Sequence, residues 1–330
     1  MTIPESTAQM PPSVNPKLTG PKRQHFLPEF YLKGFTKNGM LAVYDRQSNS
    51  IRVQQPKNTG VIGHFYTLKD AEGRQRFELE EMLCGFEKKA NQVIMKLVAK
   101  KPISTDERTD LAIFIALAAF RTPDIVDSLK GFNSELISDI AKRRFANVEE
   151  VKDRIRSKTG SPISEEELEK EAQGLVNFIN SGAYKVTTDH KWAVGKAMEM
   201  AFTVAPILAR RDWIVTHRNN DKKSFVTTDA PVLLTTVAPR KSNFYGVGFG
   251  NSDALVVFPL TASCALLMYS NNGRLEHRVA SAQQVRQINL GLTDHCQRFV
   301  IGRDEELVRS LANYHGLANK TWQPKMQKSD

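Results

Sequence analysis

At 330 residues, 41% apolar and 25% charged, the chain is long and apolar enough to bury a sizeable core, which excludes a wholly disordered protein. Lys and Arg number 46 against 36 Asp and Glu, a formal charge of +10, which admits an anionic ligand or nucleic acid as partner without requiring one. The three cysteines, Cys84, Cys264 and Cys296, form no Cys-x-x-Cys pair, so a disulfide framework is excluded and a reducing compartment fits.

The first 22 residues, with Pro4, Pro11, Pro12, Pro16 and Pro21, contain little that can pack and read as a disordered tail (1–22) without the charged-then-apolar form of a leader. "QHFLPEFYLKGF", residues 24–35, then packs Phe26, Leu27, Phe30, Tyr31, Leu32 and Phe35 around His25 and Pro28. Such density is expected to plug a core, with His25 held at its margin. "GMLAVYDR" and "IRVQQ" flank the turn-forming "QSNS" and predict a β-hairpin, with "HFYTL" as a third strand.

From Glu78 the period changes. Leu79, Leu83, Phe86, Ala90, Val93, Ile94 and Leu97 recur at three- and four-residue spacing, the stripe of an amphipathic helix ending before Pro102. "STDE" offers a capping box that opens a helix through Phe120, apolar nearly all round. Its apolar run, "LAIFIALAAF", is about half the ~20 residues a membrane span needs, so no span is expected and a cytoplasmic location is. Thr122 and Pro123 break and restart the chain into a helix toward Phe145. "SEEE" from Ser164 opens another that ends near Gly182, and a further one runs from about Asp189 to Leu208. The basic run "AKRRFANVEEVKDRIRSK" is diluted by Glu149, Glu150 and Asp153 and reads as a solvated helix face more than a phosphate-tracking surface.

Alternation returns in "DWIVTHR", the polar turn "NNDKK" and "SFVTTDAPVLL", which together predict a hairpin. "ALVVFPL" and "CALLMYS" read as buried strands. The glycine-rich "RKSNFYGVGFGNSD" reads as a mobile loop, "SAQQ" at 281 opens a helix, "RFVIG" is a last strand, and "DEELVRSLANY" a terminal helix. The fold class is therefore α+β, with mostly antiparallel strands in the N-terminal and C-terminal parts and a central helical block. Residues 23–210 would hold the first hairpin and the helical block, residues 211–316 the later strands and helices packed with them into one compact unit, and 317–330 a tail.

Five polar residues stand out as candidates for chemistry. Glu80 and Glu87, seven apart on one helix, project from the same side and suit a divalent metal or an arginine clamp. Arg121, at a helix end, can neutralise carboxylates or grip a phosphate bidentately. Asp229 closes a strand in "FVTTDAP", a rigid position beside an open turn, which a structural turn explains equally well. His25 can act as acid, base or ligand near neutral pH. Glu80, Glu87 and Asp229 together would make a Mg²⁺ or Mn²⁺ set. No His-Glu-x-x-His, no Gly-rich loop ending in Lys-Ser/Thr and no Gly-x-Ser-x-Gly elbow occurs.

"QHFLPEFYLKGF", "FYTL", "LEEMLCGFEKKANQVIMKL", "FIALAAFRTP", "FVTTDAPV" and "VFPLTASCALLM" occur in the order that resembles the bacterial domain-of-unknown-function family 4238. The resemblance covers about residues 23–300 and implies that His25, Glu80, Glu87, Arg121 and Asp229 match the recurrent polar positions of the family. Members often carry a paired histidine at the start and an asparagine after the late aspartate, where this chain has Gln24 and Ala230. Two functions remain open at this level. One is an enzyme acting on a phosphodiester or nucleotide, nuclease-like, using His25, Glu80, Glu87, Arg121 and Asp229. The other is a non-catalytic binding or sensing module with a protein partner, for example in phage defence, whose polar cluster is a structural salt-bridge network.

Overall fold

The computed structural model describes residues 16–158, 163–238 and 246–317, and its class is α+β. The chain divides into two compact units, one of residues 1–125 and 194–324, the other of residues 126–193 and 325–330. The segments on either side of residue 210 thus share the first unit. No helix of the described residues is long and apolar enough to cross a membrane.

The first unit begins with β1 (Arg23–His25) and a short α1 (Glu29–Lys33). Residues 1–15 lie outside the described residues, but 16–22 are pinned and not a loose tail. Lys17 donates its amide to Glu78 and accepts one from Phe77, and Lys22 accepts from His64. The partner of β1 is β4 (Val61–Gly63) and not "HFYTL", which forms a turn followed by the two-residue β5 (Leu68–Lys69), paired in turn with β6 (Gln75–Arg76). The difference comes from Gly60. Its carbonyl accepts the amides of Phe26 and Leu27, and any Cβ there would stand 2.7 Å from Leu27 Cβ at a φ of +67°, so only glycine closes this approach.

The plug forms as expected. Phe26, Leu27, Tyr31, Leu32 and Phe35 are buried. Tyr31 stacks on Phe258 at 5.2 Å between centroids and Phe30 meets Phe114 at 5.4 Å, pairs worth roughly 0.5–1.5 kcal/mol each beyond their burial. α2 (Glu78–Val98) and α3 (Thr105–Phe120) pack together, and Ser104 makes the capping box with Glu107. The all-round burial of α3 follows from its sequence, since Leu111 to Leu117 presents no polar face.

Two sheets complete this unit. The five-stranded one has the order β12 (Leu275–Ala280), β7 (Asp212–Arg218), β11 (Cys264–Tyr269), β10 (Ala254–Thr261), β9 (Leu233–Thr236), antiparallel except for β12 on β7. The four-stranded one has the order β3 (Ser50–Gln54), β2 (Leu41–Asp45), β13 (Phe299–Gly302), β8 (Thr227–Thr228). The β2–β3 hairpin is the expected one. The hairpin expected across "NNDKK" does not form, because β7 and β8 lie in different sheets. Phe225 donates its amide to Ala262 and Val226 to the side chain of Asn289 on α8 (Ala282–His295), so the chain after the turn is carried to new partners. α9 (Glu305–Tyr314) then packs Val308, Leu311 and Ala312 against Ala42, Tyr44 and Val300. Of the expected loop at 240–253, residues 240–245 lie outside the described residues, as do 318–330 of the expected terminal tail.

The second unit is helical. α4 (Pro123–Arg144) starts at the expected proline, and α5 (Val148–Lys158) and α6 (Glu165–Ser181) bury Val151, Ala172 and Val176 between them. α6 opens on the expected Ser164 capping box and closes on Gly182 at φ 65°. α7 (His190–Arg210) returns the chain to the first unit. The basic run is laced with its own acids. Lys152 reaches Glu149, Glu165 and Glu169, and Arg156 pairs with Asp153 and Glu165.

Candidate functional site

Arg121 follows the last turn of α3, and its amide still bonds the carbonyl of Leu117, which aims the side chain at α2. The guanidinium is 1% exposed, and Nη1 donates to Glu87 Oε1 at 2.8 Å. Glu80 lies two turns earlier on the same side of α2, as the seven-residue spacing requires. It is close enough to Glu87 and Arg121 for both charges to act on it, and half-burial with the Glu87 charge raises its carboxyl to about 7. Arg121 pulls the other way without compensating.

His25 joins this group from β1. Burial lowers its pKa below the ordinary value, while the charges of Glu29 and Glu87 and a hydrogen bond to the Lys57 backbone act against the shift. The neutral ring is therefore favoured at pH 7. Its Nε2 is buried without a hydrogen-bond partner, as are Nε and Nη2 of Arg121. Arg211 shows what a satisfied buried guanidinium looks like in the same unit. Its Nη1 donates to Ala254 and its Nη2 to Phe249 and Asn251, leaving only Nε unmatched. His25, Glu80 and Glu87, all half-buried, are the titratable side chains whose charges act around these buried, unpartnered donors.

Tyr66 belongs to this cluster although the sequence reading assigns it only to a strand. It is fully buried, its hydroxyl donates to the Arg121 carbonyl at 3.1 Å, and its pKa is raised first by burial and then by the charges of Glu80 and Glu87. Gln24 fixes its place. The Gln24 side chain accepts from the Tyr66 amide at 2.6 Å and donates to Thr67 Oγ1 at 3.0 Å. The "FYTL" motif signals a tyrosine whose buried hydroxyl needs a partner, but not which partner.

Asp229 is placed differently. Its two oxygens accept the amides of Gln297 at 3.0 Å and Arg298 at 2.7 Å, tying the end of β8 to the approach to β13. Burial raises its carboxyl to about 6 against the pull of these amides. The following turn is closed by Thr228, whose hydroxyl donates to the Ala230 carbonyl and accepts its amide. Asp229 is thus committed to backbone, and the expected Mg²⁺ or Mn²⁺ set of Glu80, Glu87 and Asp229 is not assembled. Among the described residues no group of three or more His, Cys, Asp or Glu side chains is placed to hold a metal ion. The buried thiol of Cys296, next to Asp229, is pushed up to about 12 by burial and is inert as a nucleophile.

Chemically, then, four of the five expected residues converge. They combine a guanidinium with two unpartnered nitrogens, a carboxyl that holds its proton near neutrality and a neutral imidazole. Comparison with curated proteins and with solved structures finds no match. Residues 23–306 match the model of a family described as a protein of unknown function, DUF4238. With His25, Glu80, Glu87, Arg121 and Asp229 all inside the matched span, the chain belongs to the DUF4238 family.

Proposed function

We propose that the chain is an enzyme that hydrolyses a phosphodiester or nucleotide at the cluster of His25, Glu80, Glu87 and Arg121. The observation that carries this reading is the pair of unspent donors on Arg121, whose Nε and Nη2 are buried with no partner beside a carboxyl held near 7. A structural arginine would spend those donors, since a buried unsatisfied donor costs about 1–3 kcal/mol. A phosphate presents two oxygens to such a fork. Glu87 holds the guanidinium in place from its other side. Water attacks phosphorus as His25 Nε2 takes its proton, and Glu80 gives its own proton to the departing oxygen as the P–O bond breaks.

The test uses a thymidine dinucleotide as substrate, because its sugar alkoxide leaving group, unlike a nitrophenolate, needs the proton that Glu80 gives. Turnover by the native chain should fall by about 100-fold or more in Glu80→Gln and in Arg121→Lys, with Glu80→Gln folded as stably as the native chain. The profile should decline above about pH 7 as Glu80 loses its proton. A native chain that neither cleaves this ester nor binds inorganic phosphate overturns the proposal.

The burial of the Arg121–Glu87 pair favours a second reading, in which a binding or sensing module uses the cluster as a structural network. In that case Arg121→Lys lowers the melting temperature without affecting any phosphate chemistry.

A further inference from the structure

A cleft of about 1220 Å³ opens elsewhere in the first unit, and Lys37, Lys222, Lys223, Arg286 and Arg303 line it. Its volume exceeds the roughly 300–1,000 Å³ of an ordinary small-molecule pocket. The five cations come from four places: the turn before β2, the turn after β7, α8 and the end of β13. None of them makes an ion pair among the described residues. Arg286 rests only on the Tyr314 ring, at 5.4 Å.

Four acids also line the cleft, and their positions decide its sign. Asp221 is taken by Arg218, and Asp304 caps α9 by accepting the Leu307 amide. Glu305 and Glu306 are exposed in the first turn of α9, where the helix dipole stabilises them. The basic run of α4 and α5 contrasts with this, since Lys152 and Arg156 there are paired with neighbouring glutamates. With Asp221 neutralised by Arg218, five cations face the three carboxylates of Asp304, Glu305 and Glu306, and the net positive excess is of the kind that releases counterions from a polyanion.

The lining is not charge alone. Met40, half-buried, and Val53, exposed, add an apolar strip to it. A duplex hides its base faces and offers phosphates outward, whereas a single strand offers phosphates and exposed base faces together. The geometry points to a binding site for single-stranded nucleic acid in this cleft, with the five cations tracking the phosphates and the strip of Met40 and Val53 receiving the bases. No aromatic side chain lines it, so binding rests chiefly on phosphate contacts, which carry no sequence information. The site goes beyond the acid–base cluster and does not depend on that cluster being catalytic.

The test is fluorescence polarisation of a labelled oligothymidylate of about 20 nucleotides, titrated with the full chain over a range of salt. Five phosphate contacts predict a slope of log K against log salt near about −3.5, at about 0.7 per contact on a single strand. The variant Lys222→Ala/Lys223→Ala/Arg303→Ala, altered on turns that carry no core, should reduce the slope to about −1.4. Lys142→Glu/Arg143→Glu on α4 should leave it unchanged, and so should Glu80→Gln. No binding at low salt overturns the assignment, as does a slope unmoved by the triple variant. Binding lost in Glu80→Gln but kept in the triple variant places the nucleic acid at the acid–base cluster and overturns the cleft. Failure of ester hydrolysis with cleft binding intact would overturn only the catalytic reading.

Discussion

Arg121 and Glu87 meet at 2.8 Å across 34 residues of chain, the guanidinium 1% exposed and the glutamate side chain 20%. Removing the arginine alone leaves Glu87 beside Glu80 with no counter-charge. Breaking a buried pair costs about 3–5 kcal/mol, and the partial exposure of Glu87 sets the expectation for Arg121→Ala at the lower end, about 3 kcal/mol. Glu87→Gln keeps an acceptor for Nη1 and should cost less than half of that. Urea unfolding of the two variants checks the ratio, and equal losses would refute the asymmetry.

Glu80 makes stability depend on pH in a definite sense. The folded form holds the proton up to about 7, whereas an unperturbed glutamate releases it near 4.5. Between those values the native state binds more protons than the unfolded one, so stability is lost as pH rises from 4.5 through 7. Glu80→Gln removes the ionising group. Its unfolding free energy should therefore fall less than that of the native chain between about pH 5 and about pH 8. Parallel curves for the two proteins would show that Glu80 ionises normally.

Asp229 anchors two amides that have no other acceptor of its kind. Asp229→Ala leaves the amides of Gln297 and Arg298 without it, at about 1–3 kcal/mol for each donor that stays buried. The sum, about 2–6 kcal/mol if both stay buried, should appear in thermal unfolding. Asp229→Asn can still accept one amide and should lose roughly half as much. A neutral Asp229→Ala would mean that the strand junction is held by the remaining ladder.

His217 Nε2 and His277 Nδ1 stand 3.0 Å apart on the neighbouring strands β7 and β12. Burial lowers both pKa values, and Lys100 lowers them further, with His277 adding to the effect on His217. The folded state thus binds fewer protons than the unfolded chain below about 6.5, so stability present at neutral pH is lost as pH falls through the folded values. His277→Gln should flatten the decline in melting temperature between about pH 7 and about pH 5. An unchanged decline would assign acid sensitivity to other groups.

Local chemistry made much of this fold legible. The capping boxes at Ser104, Ser164 and Ser281 involve residues three apart, and the β2–β3 hairpin needs only its own turn. The convergence of His25, Glu80, Glu87 and Arg121 was legible less directly, through the seven-residue spacing on α2 and the family motifs. What escaped were choices among distant partners. Nothing in the alternation of "SFVTT" reveals that Phe225 and Val226 bond Ala262 and Asn289 and not the strand just before them. The oxygens of Asp229 were equally hidden, since a carboxylate that holds backbone and one that faces a ligand read alike. Tyr66 was missed because an aromatic in an apolar run gives no sign of where its hydroxyl points.

The order β3-β2-β13-β8 has a consequence for synthesis on the ribosome. β2 is made early, but its neighbour β13 is the last strand among the described residues, and Arg298 closes the arrangement by a two-pronged bond to Asp45 made 253 residues before it. Until that late segment emerges, one edge of the first hairpin has open hydrogen-bonding groups and the nascent chain must wait in a partly assembled state. Folding that hinges on such distant closure is slow. Nascent chains arrested before Phe299 should therefore remain sensitive to proteolysis at the first hairpin, and those released beyond Tyr314 should become resistant in one cooperative step.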